Sequence, residues 1–386
     1  MVPEGWSNTV VDDCISFHGG TQPPKSVFES EPGPGLVRLI QTRDFKTDKF
    51  ATYIPEALAK NSFVETDIMI GRYGPPVFQI YRGKSGAYNV ALIKAVPKDG
   101  IDPDYAYYFL KGEHLYRQID SLSRRSAGQA GVEMDFLKNY PMPTPPPSEQ
   151  RRIADILSTW DAAIEKTEAL LAAAKAQKRA LMQSLLTGRR RFPQFEGQPW
   201  KEVRLGDLFF ERSDKGGSDL PLLAITGSRG VIPQSETDRR DTSREDKSSY
   251  KQIHVGDIGY NSMRMWQGVS ALSSMDGLIS PAYTVVIPGP EIDARFAAQL
   301  FKLPRQVHYF RRYSQGLTSD TWNLKFKQFV EVPTLIPSVT EQIKIAEMLD
   351  ASDGEIAQLD GHVSKLRTEK KALMQQLLTG KRRVVV

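Results

Sequence analysis

The sequence predicts an α+β, mixed α/β protein with a pseudo-twofold internal repeat. Two globular domains are separated by two long antiparallel α-helices that form an intramolecular coiled coil. Three observations predict this. The stretch "SEQRRIADILSTWDAAIEKTEALL" from Ser148 recurs 192 positions later as "TEQIKIAEMLDASDGEIAQLDGHV" from Thr340. Both copies carry apolar residues on a heptad track. The segments before each copy mix strand-like and short helical runs, and 386 residues exceed one ordinary core.

The first element is a globular domain over 1–145. "GLVRLI" and "YNVALIKAVP" read as strands, and "DYAYYFLKGEHLY" as helix. The second is a helix within 146–191, led in by the prolines of "PMPTPPP". Its seam is Ile153, Leu157, Trp160, Ile164, Leu171, Leu181 and Leu185, on a track of alternating steps of four and three. Ser148 is the expected N-cap, and Gly188 suits the left-handed residue that stops a helix. The segment holds nine Lys+Arg against five Asp+Glu, so most of the chain's +5 charge lies here rather than in the globular segments. Any face for a polyanion must therefore come from local clustering.

The third element, 192–336, is a second globular domain with "AYTVVIP" as strand and "DARFAAQLFKL" as helix. It echoes the first: Trp200 stands for Trp6, Asp207 for Asp13, and "HVGDIGYN" for "VETDIMIG". The fourth, 337–386, is the second long helix, expected to be capped by Thr340 and stopped by Gly380. Its seam is Ile345, Leu349, Ile356, Leu359, Val363, Leu366, Leu373 and Leu377. An equal partner within the same chain favours helices packing on each other. Placing the globular domains at opposite ends then requires them to run antiparallel.

Matching places in the two domains carry arginine beside aromatic or amide residues. "RLIQTRDF" and "LAITGSRG" present Arg43, and Ser228 with Arg229. "IGRYG" and "NSMRMWQG" offer Arg72 and Tyr73, and Arg264, Trp266 and Gln267. "SRRSAGQ" and "YFRRYSQG" offer Arg124, Arg125 and Gln129, and Arg311, Arg312 and Gln315. A guanidinium fork fits guanine or phosphate, and a carboxamide fits adenine, so these are candidate DNA contacts. Exposed loops are commonly rich in Arg and Ser, so single positions say less than the paired placement does.

Signs of catalysis are missing. "YRGKS" ends like a phosphate loop, but Phe78 stands where the earlier glycine belongs. No Gly-x-Gly run suits S-adenosylmethionine, and five histidines with one cysteine give no metal-ligand spacing. No apolar run is long enough to span a bilayer and no leader is visible, so no membrane partner is expected. Cys14, with no second cysteine, fits a reducing, cytoplasmic setting.

The proline-led "P-x-x-x-EQxxIAxxLxxxDxxI" at 145–164 and 337–356 resembles the specificity subunit of Type I restriction-modification systems. The paired endings "ALMQSLLTGRRR" and "ALMQQLLTGKRR" add to the resemblance. It implies that 1–145 and 192–336 are target-recognition domains, each reading one half of a split site on double-stranded DNA. It also implies that the helices set the spacing and dock two methyltransferase subunits. S-adenosylmethionine would belong to those subunits, and ATP and Mg to restriction subunits that join them. This chain would be non-catalytic, with no cofactor or metal of its own. A coiled-coil scaffold whose domains do not touch DNA is the alternative. Salt-sensitive, sequence-specific binding separates the two.

Overall fold

The computed structural model describes residues 2–124, 131–217, 219–227, 229–237 and 246–385. The structure is mixed α/β, and the chain divides into two compact units. The first comprises Met1–Thr167 with Gly361–Val386, and the second comprises Glu168–Asp360. Each long helix is therefore divided between them. Among the described residues no helix is long and apolar enough to cross a membrane.

In the first unit an antiparallel sheet runs in the order Ile15–Gly19, Leu92–Pro97, Ile68–Gly71, Ile80–Tyr81. All four residues of Ile68–Gly71 are buried, as expected of a strand covered on both faces. A second sheet orders Tyr53–Pro55, Leu36–Ile40, Gly86–Tyr88 and Ser62–Phe63. The run "YNVALIKAVP" is thus two strands, not one. Asn89 breaks it, accepting the Ala91 N–H on its side chain (3.1 Å) and the Leu92 N–H on its carbonyl (3.0 Å). Likewise "DYAYYFLKGEHLY" is two helices, Pro103–Leu110 and Glu113–Ser123. At Gly112 between them an added Cβ would sit 2.9 Å from the Phe109 carbonyl oxygen.

The second unit repeats the principal sheet as Phe209–Glu211, Tyr283–Pro288, Ile258–Asn261, Ser270–Leu272. Two hairpin-like pairs replace the second sheet: Leu223–Thr226 with Gly230–Pro233, and Lys251–Ile253 with Gly277–Ile279. Aromatic side chains fill its core, with Phe329 against Phe209, Tyr260, Phe301 and Phe310. The echoed acidic residues have matched duties. Asp13 accepts the Val10 N–H and Asp207 that of Arg204, while Asp67 accepts from Val64 and Asp257 from His254.

Asp293 caps the helix Ala294–Leu300, accepting from the N–H groups of Arg295 (3.0 Å) and Phe296 (2.9 Å). Asp293→Ala is expected to lower stability by about 1 kcal/mol. The urea midpoint should fall with no change in the slope of the transition.

The long helices span Pro147–Leu185 and Val339–Leu377. Ser148 and Thr340 are therefore not the caps; both lie inside the first turn. The amides of Glu149 and Gln150 bond to the Pro146 carbonyl, and those of Glu341 and Gln342 to that of Ser338. Pro147 takes the first helical position, where its fixed φ is preorganised and its missing N–H costs nothing. Gly188 and Gly380 both stop their helices at φ 70°.

Within each unit the two helical segments run antiparallel. In the first, Lys370 bonds Asp161, which also accepts from Tyr108 Oη (2.8 Å). Arg383 forks onto Glu149 (2.7 and 2.8 Å). In the second, Lys178 reaches both oxygens of Asp353 (2.6 Å), and Arg191 forks onto Glu341 (2.6 and 2.7 Å). Among the seam residues, Ile153, Leu157, Leu185, Ile345, Leu349, Val363 and Leu377 are buried; the remaining eight are half-buried.

The repeated Glu-Gln pair now has a physical reason. The glutamate binds the arginine that follows the other helix, and the glutamine ties its own helix to the globular part. Gln150 accepts from the Asp102 N–H and donates to the carbonyls of Gly100 and Pro145. Gln342 accepts from the Asp293 N–H and donates to those of Glu291 and Pro337.

Candidate nucleic-acid interface

In the second unit the site is built where the strand Ile258–Asn261 ends. Asn261 turns the chain by accepting the Met263 N–H on its side chain (3.0 Å) and the Arg264 N–H on its carbonyl (2.9 Å). A 3-10 turn, Met265–Gln267, follows and closes on Gly268 at φ 75°. Buried Met265 anchors this turn, so Arg264 and Gln267 are left exposed. Lys302 straps it from behind, donating to the carbonyls of Gly268 (2.7 Å) and Ser270 (2.6 Å). Burial, with a smaller push from Lys178, lowers the Lys302 ammonium to about 8.

The helix Pro304–Tyr313 brings Arg311 to the same place, and Arg312 follows it in the last turn, both exposed. Trp322 is the meeting point. It stands edge-to-face with Trp266 (centroids 5.2 Å apart), and the Arg311 guanidinium lies 5.0 Å from its ring centre. Gln315 and Asn323 exchange both backbone hydrogen bonds (2.9 and 2.8 Å), and the Leu324 N–H bonds the Ser262 carbonyl (2.9 Å). The structure thus brings Trp266 and Arg311 onto one indole, with Arg264 and Gln267 on the turn that carries Trp266 and Gln315 paired to the residue after Trp322. Arg229 stands apart in the turn between Leu223–Thr226 and Gly230–Pro233, where its side chain donates to the Glu236 carbonyl (3.0 Å). Ser228 lies outside the described residues.

The first unit uses the same junction. Arg72 follows Ile68–Gly71, and its carbonyl accepts the Val132 N–H (2.9 Å), the counterpart of the Ser262–Leu324 bond. Tyr73 bridges Gly131, and the Arg72 guanidinium lies 5.4 Å from the Tyr73 ring centre. Arg124 is exposed at the end of its helix and pairs with Asp120 (2.9 Å). Such an open pair is weak enough to be exchanged for a phosphate. Arg125 and Gln129 lie outside the described residues. Arg43 sits in the 3-10 turn Thr42–Phe45 and reaches the Phe50 carbonyl (3.4 Å). Its neighbour Thr42 lies against Gly71, 3.6 Å from where a Cβ would be, so Arg43 and Arg72 flank one junction.

Sequence reasoning missed Trp322 and Lys302. The repeat could have flagged Lys302, which aligns with Lys111. Trp322 has no such signal, because "SQGLTSDTWN" has no close counterpart in the first half. Chemically, the site offers cations, amides and flat aromatic faces. Among the described residues no group of three or more His, Cys, Asp or Glu is placed to hold a metal ion.

Comparison with known proteins gives a consistent result. Residues 3–176 match the Type I restriction modification DNA specificity domain. The type I restriction enzyme MjaVIII specificity subunit of Methanocaldococcus jannaschii is 23% identical over 424 residues, covering 99% of this chain and 94% of its own length. The EcoEI specificity subunit of Escherichia coli is 27% identical over 169 residues, covering 41% of this chain and 28% of its own length. The fold is similar to that of the S subunit of the type I system from M. genitalium. There the TM-score is 0.62 at 16% identity, over 98% of this chain and 96% of that one. A second chain, solved in work on complex assembly and conformational transition of the type I R-M system, gives a TM-score of 0.58 at 16% identity, over 99% and 100%.

Proposed function

We propose, from the premise that this chain is a relative of the type I restriction-modification DNA specificity subunits, that it reads a two-part DNA target with one unit per half-site. The long helices form a coiled-coil spacer that fixes the distance between the readers. Their surfaces dock two methyltransferase subunits, which methylate adenine N6 with S-adenosylmethionine. Restriction subunits using ATP and Mg would join through those. The chain itself holds and orients DNA and performs no chemistry.

One observation carries this reading. Both units carry an arginine–aromatic contact beside the same strand end of a repeated sheet, Arg72 with Tyr73 in the first and Arg311 with Trp322 and Trp266 in the second. A scaffold would have no need to repeat such a contact. The reciprocal pairs Lys370–Asp161 and Lys178–Asp353 support the spacer, since polar groups on a helical seam fix its register and orientation.

The spacer is tested by inserting one heptad into each long helix, near Glu168–Leu171 and Asp360–Val363. Seven residues add about 10 Å of helix, or roughly three base pairs. Methylation mapping should show both half-sites kept and the gap between them longer by about that number. An unchanged gap would sink the ruler. Replacing 1–145 by the corresponding domain of another specificity subunit should alter one half-site only.

A further inference from the structure

Leu317 is fully exposed, while the loop that carries it is closed at its base. The Gln315–Asn323 bridge clamps the two strands of the loop. Beyond it, the amides of Thr321 and Trp322 both bond the Thr318 carbonyl (3.0 and 3.1 Å), and Thr321 Oγ1 accepts the Thr318 N–H (3.2 Å). Gly316 lies at φ 137°, where a Cβ would stand 2.6 Å from the Thr321 carbonyl oxygen. Only glycine lets the loop close this tightly. A lone exposed leucine is ordinary on a protein surface. A leucine held out from a braced loop whose base carries Trp322, itself packed on Trp266 and under the Arg311 guanidinium, is not.

We propose that Leu317 is a wedge that enters the base stack of the half-site read by the second unit. This rests on the DNA-reading function proposed above and deepens it. The arginines meet the phosphates, Trp322 offers a face to an unstacked base, and the leucine fills the gap it opens. Asp320, on the same loop, repels the backbone and favours entry of the tip over lying along the phosphates. Unstacking is cheapest at a pyrimidine–purine step, so such a step is expected at the point of entry. Leu317 would then contribute to specificity through the deformability of the site, without a hydrogen bond to any base.

The test uses the full chain assembled with its methyltransferase subunits, without S-adenosylmethionine. Duplexes carry the target found by methylation mapping, with 2-aminopurine placed at successive positions of each half-site. The wild-type complex should raise fluorescence at one step that Leu317→Ala leaves dark and Leu317→Phe restores. Affinity should change less than about tenfold, because lost burial and relieved unstacking oppose each other. Sequence-specific binding with no Leu317-dependent rise at any position would overturn the wedge and leave DNA reading intact. Absence of sequence-specific binding by the wild-type complex would overturn both.

Discussion

Arg191→Ala is expected to destabilise the second unit by about 3–5 kcal/mol, because it leaves a buried carboxylate without its partner. The Glu341 side chain is 1% exposed, and both of its oxygens receive hydrogen bonds from Arg191. The equivalent carboxylate in the first unit is better supplied. Glu149 takes the Arg383 fork and also the Trp6 indole N–H (3.0 Å), whereas Trp200 Nε1 has no hydrogen-bond partner among the described residues. Arg383→Ala should therefore cost less than Arg191→Ala. Chemical denaturation checks the order. Adding Glu341→Gln to Arg191→Ala should recover part of the loss, since a neutral amide tolerates burial better than a lone charge. Equal stability of Arg191→Ala and wild type would refute the clamp.

The same clamp has a pH signature in the first unit. Burial works against the Glu149 charge, but the hydrogen bonds from Arg383 and Trp6 outweigh it and hold the carboxyl below the usual range. A carboxyl whose folded-state pKa is depressed contributes stability above its ordinary titration range. That contribution is lost as pH falls through the folded value. Glu149→Gln should therefore be less stable than wild type at neutral pH, and the difference should shrink on acidification.

Arg264→Ala combined with Arg311→Ala is expected to weaken binding to target DNA by about a hundredfold, at roughly 1–2 kcal/mol for each lost charge contact. Arg311 lies over the Trp322 ring, Arg264 opens the turn that carries Trp266, the edge-to-face partner of Trp322, and both side chains are exposed. If they face phosphates, the slope of affinity against salt should fall by about one for each substitution. If instead they read bases, the slope should hold and discrimination within one half-site should relax. Binding of the double variant at wild-type strength and slope would remove this cluster from the interface. Trp322→Ala separates packing from charge: it should disturb the placement of Arg311 while leaving the charge count intact.

The long helices were legible because their information is local. Heptad spacing and a shift of 192 residues without a gap leave few alternatives for "ALMQSLLTGRRR" and its copy. The role of Glu149 and Gln150 was not legible, because their partners Arg383 and Asp102 are distant in sequence and no periodicity links them. The run around Asn89 reads as a single strand by composition. One side-chain turn outweighs the propensity of its neighbours and sends the halves to different sheets. The arginines were visible as clusters. The contact of Arg311 with Trp322 depends on a loop for which the repeat offers no template.

The division of the chain also sets an order of completion. Glu168–Asp360 is continuous, so the second unit can close as soon as it leaves the ribosome. The first begins earlier but needs 361–386, and Ile153 and Leu157 have no cover from Leu377 and Leu378 until those residues emerge. At roughly 5–20 residues per second the half-built core waits about 10–40 s with an apolar helix face open to water. The segment made first is thus the last to mature, and during that interval it is the natural client of a chaperone.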